Sequence, residues 1–126
     1  MHPKQLRSVL NLPAADRYSY LVRKIVDFEA AYGLYSDGWA MMSDADGKQC
    51  FPIWPELEFA ELLATGDWED YAVKPISLEQ LCNKWIPGLI SDQINIAAFP
   101  IPKQTGVVLR AEKFGADLAT EAAQYE

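Results

Sequence analysis

The chain has 126 residues, half of them hydrophobic and 12% aromatic, which predicts one self-supporting globular domain over residues 1–126. Eleven basic against eighteen acidic side chains leave a formal charge of −7, and no basic cluster exceeds the pair Arg23-Lys24. Nucleic acid and anionic membrane surfaces both require a basic face, so the composition excludes both as partners.

In chain order, residues 3–11 read as a short helix with Leu6, Val9 and Leu10 on one side. Pro13 opens a longer helix to about Tyr32, with Asp16 at its positive end and Gly33 as its stop. Tyr18, Leu21, Val22, Ile25, Phe28 and Tyr32 form its apolar stripe. Glu29 falls inside that arc, where a carboxylate must pair, protonate or reach an edge; an ion pair or escape at the helix end is weighed there against a functional acid.

Three strands follow, joined at Asp37-Gly38 and Asp46-Gly47, dipeptides suited to two-residue hairpin turns. The Asp44–Gly47 stretch hints at a calcium loop, but that frame puts Met42 and Ile53 at the first and last ligand positions, and the turn reading prevails. In the third strand Phe51 and Ile53 share one face, while Cys50, Pro52 and Trp54 share the other. Pro52 has no N–H, which predicts an edge strand or a bulge. Pro55 suits the first turn of a helix whose apolar side is Phe59, Ala60 and Leu63.

A loop over residues 65–71 carries Trp68 between Asp67 and Glu69, and "AVKPI" reads as a short strand. Ser77 and Gln80 form a capping box for a helix striped by Leu78, Leu81, Cys82, Trp85 and Ile86 and ended by Pro87. "INIAAF" and "GVVLR" are two more strands, and residues 111–124 form a final helix on Phe114 and Leu118. The sum is an α+β fold: an antiparallel-rich sheet of about five strands with N-terminal helices, inserted helices and a C-terminal helix.

No apolar run approaches the roughly 20 residues needed to span a bilayer. "MHPKQLRSVLNLPAADR" is too short and too polar in its apolar part for a signal peptide, so the expected location is the cytoplasm. Cys50 and Cys82 are then expected to be reduced, unbridged and buried. They lack a CxxC spacing, and with His2 as the sole histidine neither a zinc site, a cofactor nor an activated nucleophile is expected.

Of the four tryptophans, Trp85 is read as core from its helical spacing. Trp68 in its acidic turn is a candidate partner contact with Asp67 and Glu69, and Trp54 is a mainly structural residue that could join them.

The run from "RYSYLVRKIVDFEAAYGLYSDGWAMM" through "PIWPELEFA" and "WIPGL" to "AAFPIP" resembles the bacterial family termed domain of unknown function twenty-seven-fifty. A looser resemblance is to the N-terminal domain of the SseB-type (enhanced serine sensitivity) proteins. These likenesses imply a small, stand-alone, cytoplasmic α+β protein and transfer no catalytic residue. The functional expectation is a non-enzymatic protein-interaction module, monomeric or homodimeric. Its alternative is a small-molecule-binding domain, or less readily an enzyme, using a pocket near Glu29 and the tryptophans.

Overall fold

The computed structural model describes residues 1–124; residues 125 and 126, included in the expected domain, lie outside the described residues. Helices α1 (Pro3–Leu10) and α2 (Ala14–Phe28) lead into strand β1 (Ala30–Tyr35), short β2 (Met42–Ser43) and β3 (Gln49–Ile53). Helix α3 (Leu57–Leu62), a 3₁₀ turn at Gly66–Trp68 and strand β4 (Ala72–Ser77) follow. A continuous helical stretch comprises α4 (Leu78–Gln80), a π turn (Leu81–Trp85) and α5 (Ile86–Ser91), before β5 (Asn95–Ala98), β6 (Val107–Leu109) and α6 (Ala111–Ala123). The α+β class and its terminal helices stand as read from the sequence.

The strands form two sheets. Antiparallel β1 and β4 make a six-pair ribbon from Ala30↔Ser77 to Tyr35↔Ala72. The other sheet has the order β2-β3-β5-β6, with β3 and β5 parallel and the outer pairs antiparallel. The expected meander is therefore only half formed: β2 and β3 make a hairpin, whereas β1 touches its neighbours through the isolated bridges Tyr35↔Trp39 and Tyr32↔Trp54.

Helix α2 stops four residues earlier than its stripe predicts. Glu29 adopts a left-handed conformation (φ 56°), and its carbonyl accepts from the Leu78 N–H at 2.8 Å. The ladder to β4 thus captures Ala30–Tyr35, because six paired residues outweigh the helical propensity of "AAY". Tyr32 consequently lies in a strand, and Phe28 at the helix end is 63% exposed.

Strand β3 is internal, which corrects the edge expectation for Pro52. The Ile53 carbonyl accepts from Phe99 on the β5 side, whereas Trp54 exchanges hydrogen bonds with Tyr32 on the opposite flank. Alternation points the Pro52 nitrogen to that same flank, between the last β2 partner, at Cys50, and the Trp54 bridge. The missing donor falls in a gap of the ladder. Residues Cys50 to Trp54 are all buried, so both faces of β3 are covered. Pro55 precedes the N-cap Glu56 of α3 and does not occupy its first turn.

Pro87 does not end the fourth helical stretch either. It lacks the N–H that would bond to Asn83, and the widened turn absorbs this: Ile86 N–H donates to Leu81 five residues back. Leu81 and Ile86 are both buried at this spacing. The widened turn rotates Cys82 off the apolar face, so it is exposed, while Cys50 is buried; both are free thiols. Ser77 caps the start as expected, accepting from Gln80 N–H at 3.1 Å.

Candidate functional site

Gly33 on β1 prepares the most developed surface feature. A Cβ there would lie 2.9 and 3.0 Å from ring carbons of Trp39, so only glycine lets that indole lie directly on the strand. The turn at Asp37 (φ 55°) brings Trp39 back against β1. Trp39 then meets Trp85 edge-on, with centroids 4.9 Å apart at 85°, and Trp85 stacks on Phe51 at 4.9 Å and 19°. Such geometries are favourable beyond the area they bury. Phe51 is core, but Trp39 and Trp85 are only half-buried.

Beside these rings lies an open groove of about 350 Å³, walled by Trp39, Met41, Phe51, Trp85, Leu89 and Ile94. Lys84, Gly88 and Asp92 also line it. Lys74 sits over the outer rings, its ammonium 4.2 Å from the Tyr35 centroid and 5.5 Å from that of Trp39. The wall is mostly apolar, with Lys84 and Asp92 as its charged members.

The residues singled out in the sequence are dispersed. Trp54 has 0% exposure and donates from Nε1 to the Pro100 carbonyl at 2.8 Å; no part of it is presented to a partner. Trp68 is half-buried against the core, with Asp67 and Glu69 exposed beside it. Glu29 is exposed at the end of α2, not on its apolar face. It does line a pocket of about 500 Å³, with Ser77, Leu78, Glu79, Cys82 and Asn83, but no tryptophan joins it there.

Trp85, read as core, is packed against the core and also lines the groove, and Trp39 joins it there without any spacing signal of its own. Pro87 two residues after Trp85 was the available signal, since an interior proline withholds a helical donor and the turn before it widens.

Neither thiol is activated. Burial, and then the carboxylate of Asp44, push Cys50 up from its ordinary value; partial desolvation does the same to Cys82. Arg17 is 2% exposed, with Nη1 donating to Leu12 carbonyl at 2.8 Å, Nη2 to Gln104 at 3.4 Å and Nε without a partner. It clasps the α1–α2 turn to the Ile101–Gln104 turn. Among the described residues no group of three or more His, Cys, Asp or Glu could hold a metal ion, and no helix is long and apolar enough to cross a membrane.

Fold and groove together define a small α+β protein with an aromatic-lined groove. The chain belongs to the family described as Protein of unknown function (DUF2750), whose model matches residues 18–118. No curated protein and no solved structure matches it.

Proposed function

We propose that this chain is a non-enzymatic protein-interaction module of the bacterial cytoplasm whose contact site is the Trp39–Phe51–Trp85 groove. The observation that carries this is the half-buried state of two tryptophans over a fully buried phenylalanine. Aromatic rings held rigidly at the rim of a core are the side chains on which interface energy concentrates. Two unbridged cysteines are in keeping with a reducing compartment. Trp68, Asp67 and Glu69 form a second, acidic contact in the same reading. Small-molecule binding is the second reading, favoured by the volume of the groove, which lies at the lower end for ligand pockets.

The test uses Gly88, which lines the groove and where an added Cβ would meet no atom within 4 Å, so a larger side chain adds bulk at the groove without a clash at its first carbon. An affinity pull-down from native cytosol, with mass spectrometric identification, is run with the natural chain and with Gly88→Leu as baits. A partner captured by the first and depleted on the second is expected. Identical captures from both baits would remove the groove from the function.

A further inference from the structure

We infer that the groove and an adjoining cationic pocket form one bipartite site for a short acidic peptide segment of a partner protein, anchored by a bulky apolar side chain. The inference rests on the protein-binding reading of the groove and names the chemistry of its partner. The adjoining pocket, about 360 Å³, is lined by Lys48, Gln93, Asn95, Arg110 and Glu112. Leu89 and Ile94 line both depressions, and the Ile94 N–H donates to the Leu89 carbonyl at 2.9 Å. The two sites are thus neighbours across one hydrogen-bonded turn between α5 and β5, a wall that an extended segment can straddle.

The charges around this double site differ in sign from the protein as a whole. Lys48, Lys84 and Arg110 line the double site together with Asp92 and Glu112, and Lys74 adds a further cation over Trp39. Arg110 is engaged by Glu112 at 2.6 Å, but among the described residues Lys48 and Lys84 take part in no ion pair. A chain of net charge −7 repels acidic partners over most of its surface and admits them here. The polar pocket also opens beside the N-terminus of α6, whose dipole favours an anion. On the apolar side, the perpendicular Trp39–Trp85 pair offers ring faces and edges suited to a Leu or Phe side chain.

Fluorescence anisotropy with labelled, end-capped hexapeptides tests this on the full chain. One set carries a Leu or Phe among Asp and Glu, a second carries the same anchor among Lys and Arg, and a third carries the acids with Ala as anchor. Binding by the first set alone is expected, weakened about tenfold by Lys48→Glu, as loss of a steering charge contact implies. Gly88→Glu should weaken it more than Gly88→Lys, because the two fill similar space with opposite charge. Equal binding by the basic set, still abolished by Gly88→Leu, overturns the acidic specificity and leaves the groove standing. Acidic-peptide binding indifferent to Gly88→Leu overturns both. Absence of peptide binding, while Gly88→Leu still depletes a captured partner, overturns this inference alone. Displacement of the label by phenylpropionate as effectively as by unlabelled peptide assigns the site to small organic acids and overturns the peptide.

Discussion

Trp54 and Tyr32 exchange both of their backbone hydrogen bonds, at 2.9 and 3.0 Å, and so tie the two-stranded ribbon to the four-stranded sheet. The Trp54 ring is wholly buried, and its indole N–H satisfies the Pro100 carbonyl. Trp54→Ala should therefore cost about 3–5 kcal/mol, as large aromatic truncations in cores do. Trp54→Phe keeps most of the apolar area but strands a buried carbonyl, for about 1–3 kcal/mol. Urea denaturation of both variants checks this, and an unchanged midpoint for Trp54→Ala would contradict the junction role.

What the sequence made legible follows from where local and tertiary forces agree. The alternation of Phe51 and Ile53 put both in the core, and Ser77 capped its helix, because each signal is local and nothing opposes it. Glu29 takes the weighed alternative of escape at the helix end, but four residues before Gly33, because the end of α2 is set by a ladder to residues more than forty positions later. Cys82 departs from its expected burial for a related reason: regular 3.6-residue spacing fails when a proline widens the turn, although Trp85 on the same stripe still packs against the core. The groove depends on both departures, since β1 supplies Gly33 beneath Trp39 and the π turn supplies Trp85. Its site was therefore the least legible part of the chain.

Two glycines should respond to alanine with opposite signs. Gly106 has φ +82°, and a Cβ there would lie 2.3 Å from the backbone oxygen of Ala98. Left-handed strain of about 1–2 kcal/mol is then joined by overpacking of about 1–3 kcal/mol, and neither can relax into a flexible side chain. Gly88 in α5 has no neighbour within 4 Å of that position and an ordinary helical conformation. Gly88→Ala should stabilise by up to about 1 kcal/mol through helix propensity alone. Thermal melts of both, with Gly106→Ala lower and Gly88→Ala higher than the natural chain, are the expected result.

The thiols should separate by access. Cys82 is exposed on the π turn and Cys50 is buried in β3. A thiol-specific reagent should label one cysteine per chain under native conditions and two in denaturant. Both thiols have raised pKa values, so native labelling at Cys82 should be slow at neutral pH and accelerate as pH rises. Rapid native labelling of Cys50 would mean that the β2–β3 hairpin opens.

The contact between α2 and α6 should respond to both extremes of pH. Tyr18 O–H donates to Asp117 at 2.5 Å, and Lys113 Nζ donates to the other carboxylate oxygen at 2.7 Å. Burial pushes the Asp117 carboxyl up, but the hydrogen bonds from Lys113 and Tyr18 outweigh it and hold it below its ordinary value. A depressed carboxylate contributes stability that is complete above its unfolded value of about 3.9 and is lost as pH falls through the folded value. Tyr18 is shifted the other way, first by burial and then by its bond to the Asp117 carboxylate. Its contribution is complete below about pH 10 and is lost as pH rises through the folded value. Asp117→Asn should flatten the acid limb of stability against pH and shrink the alkaline limb without abolishing it, because the burial of Tyr18 remains. Tyr18→Phe should remove its alkaline contribution outright while leaving the Lys113–Asp117 pair to hold part of the acid limb. Urea midpoints measured from pH 2.5 to 11 on the three proteins decide it: an acid limb unchanged by Asp117→Asn would show that other carboxylates govern acid unfolding.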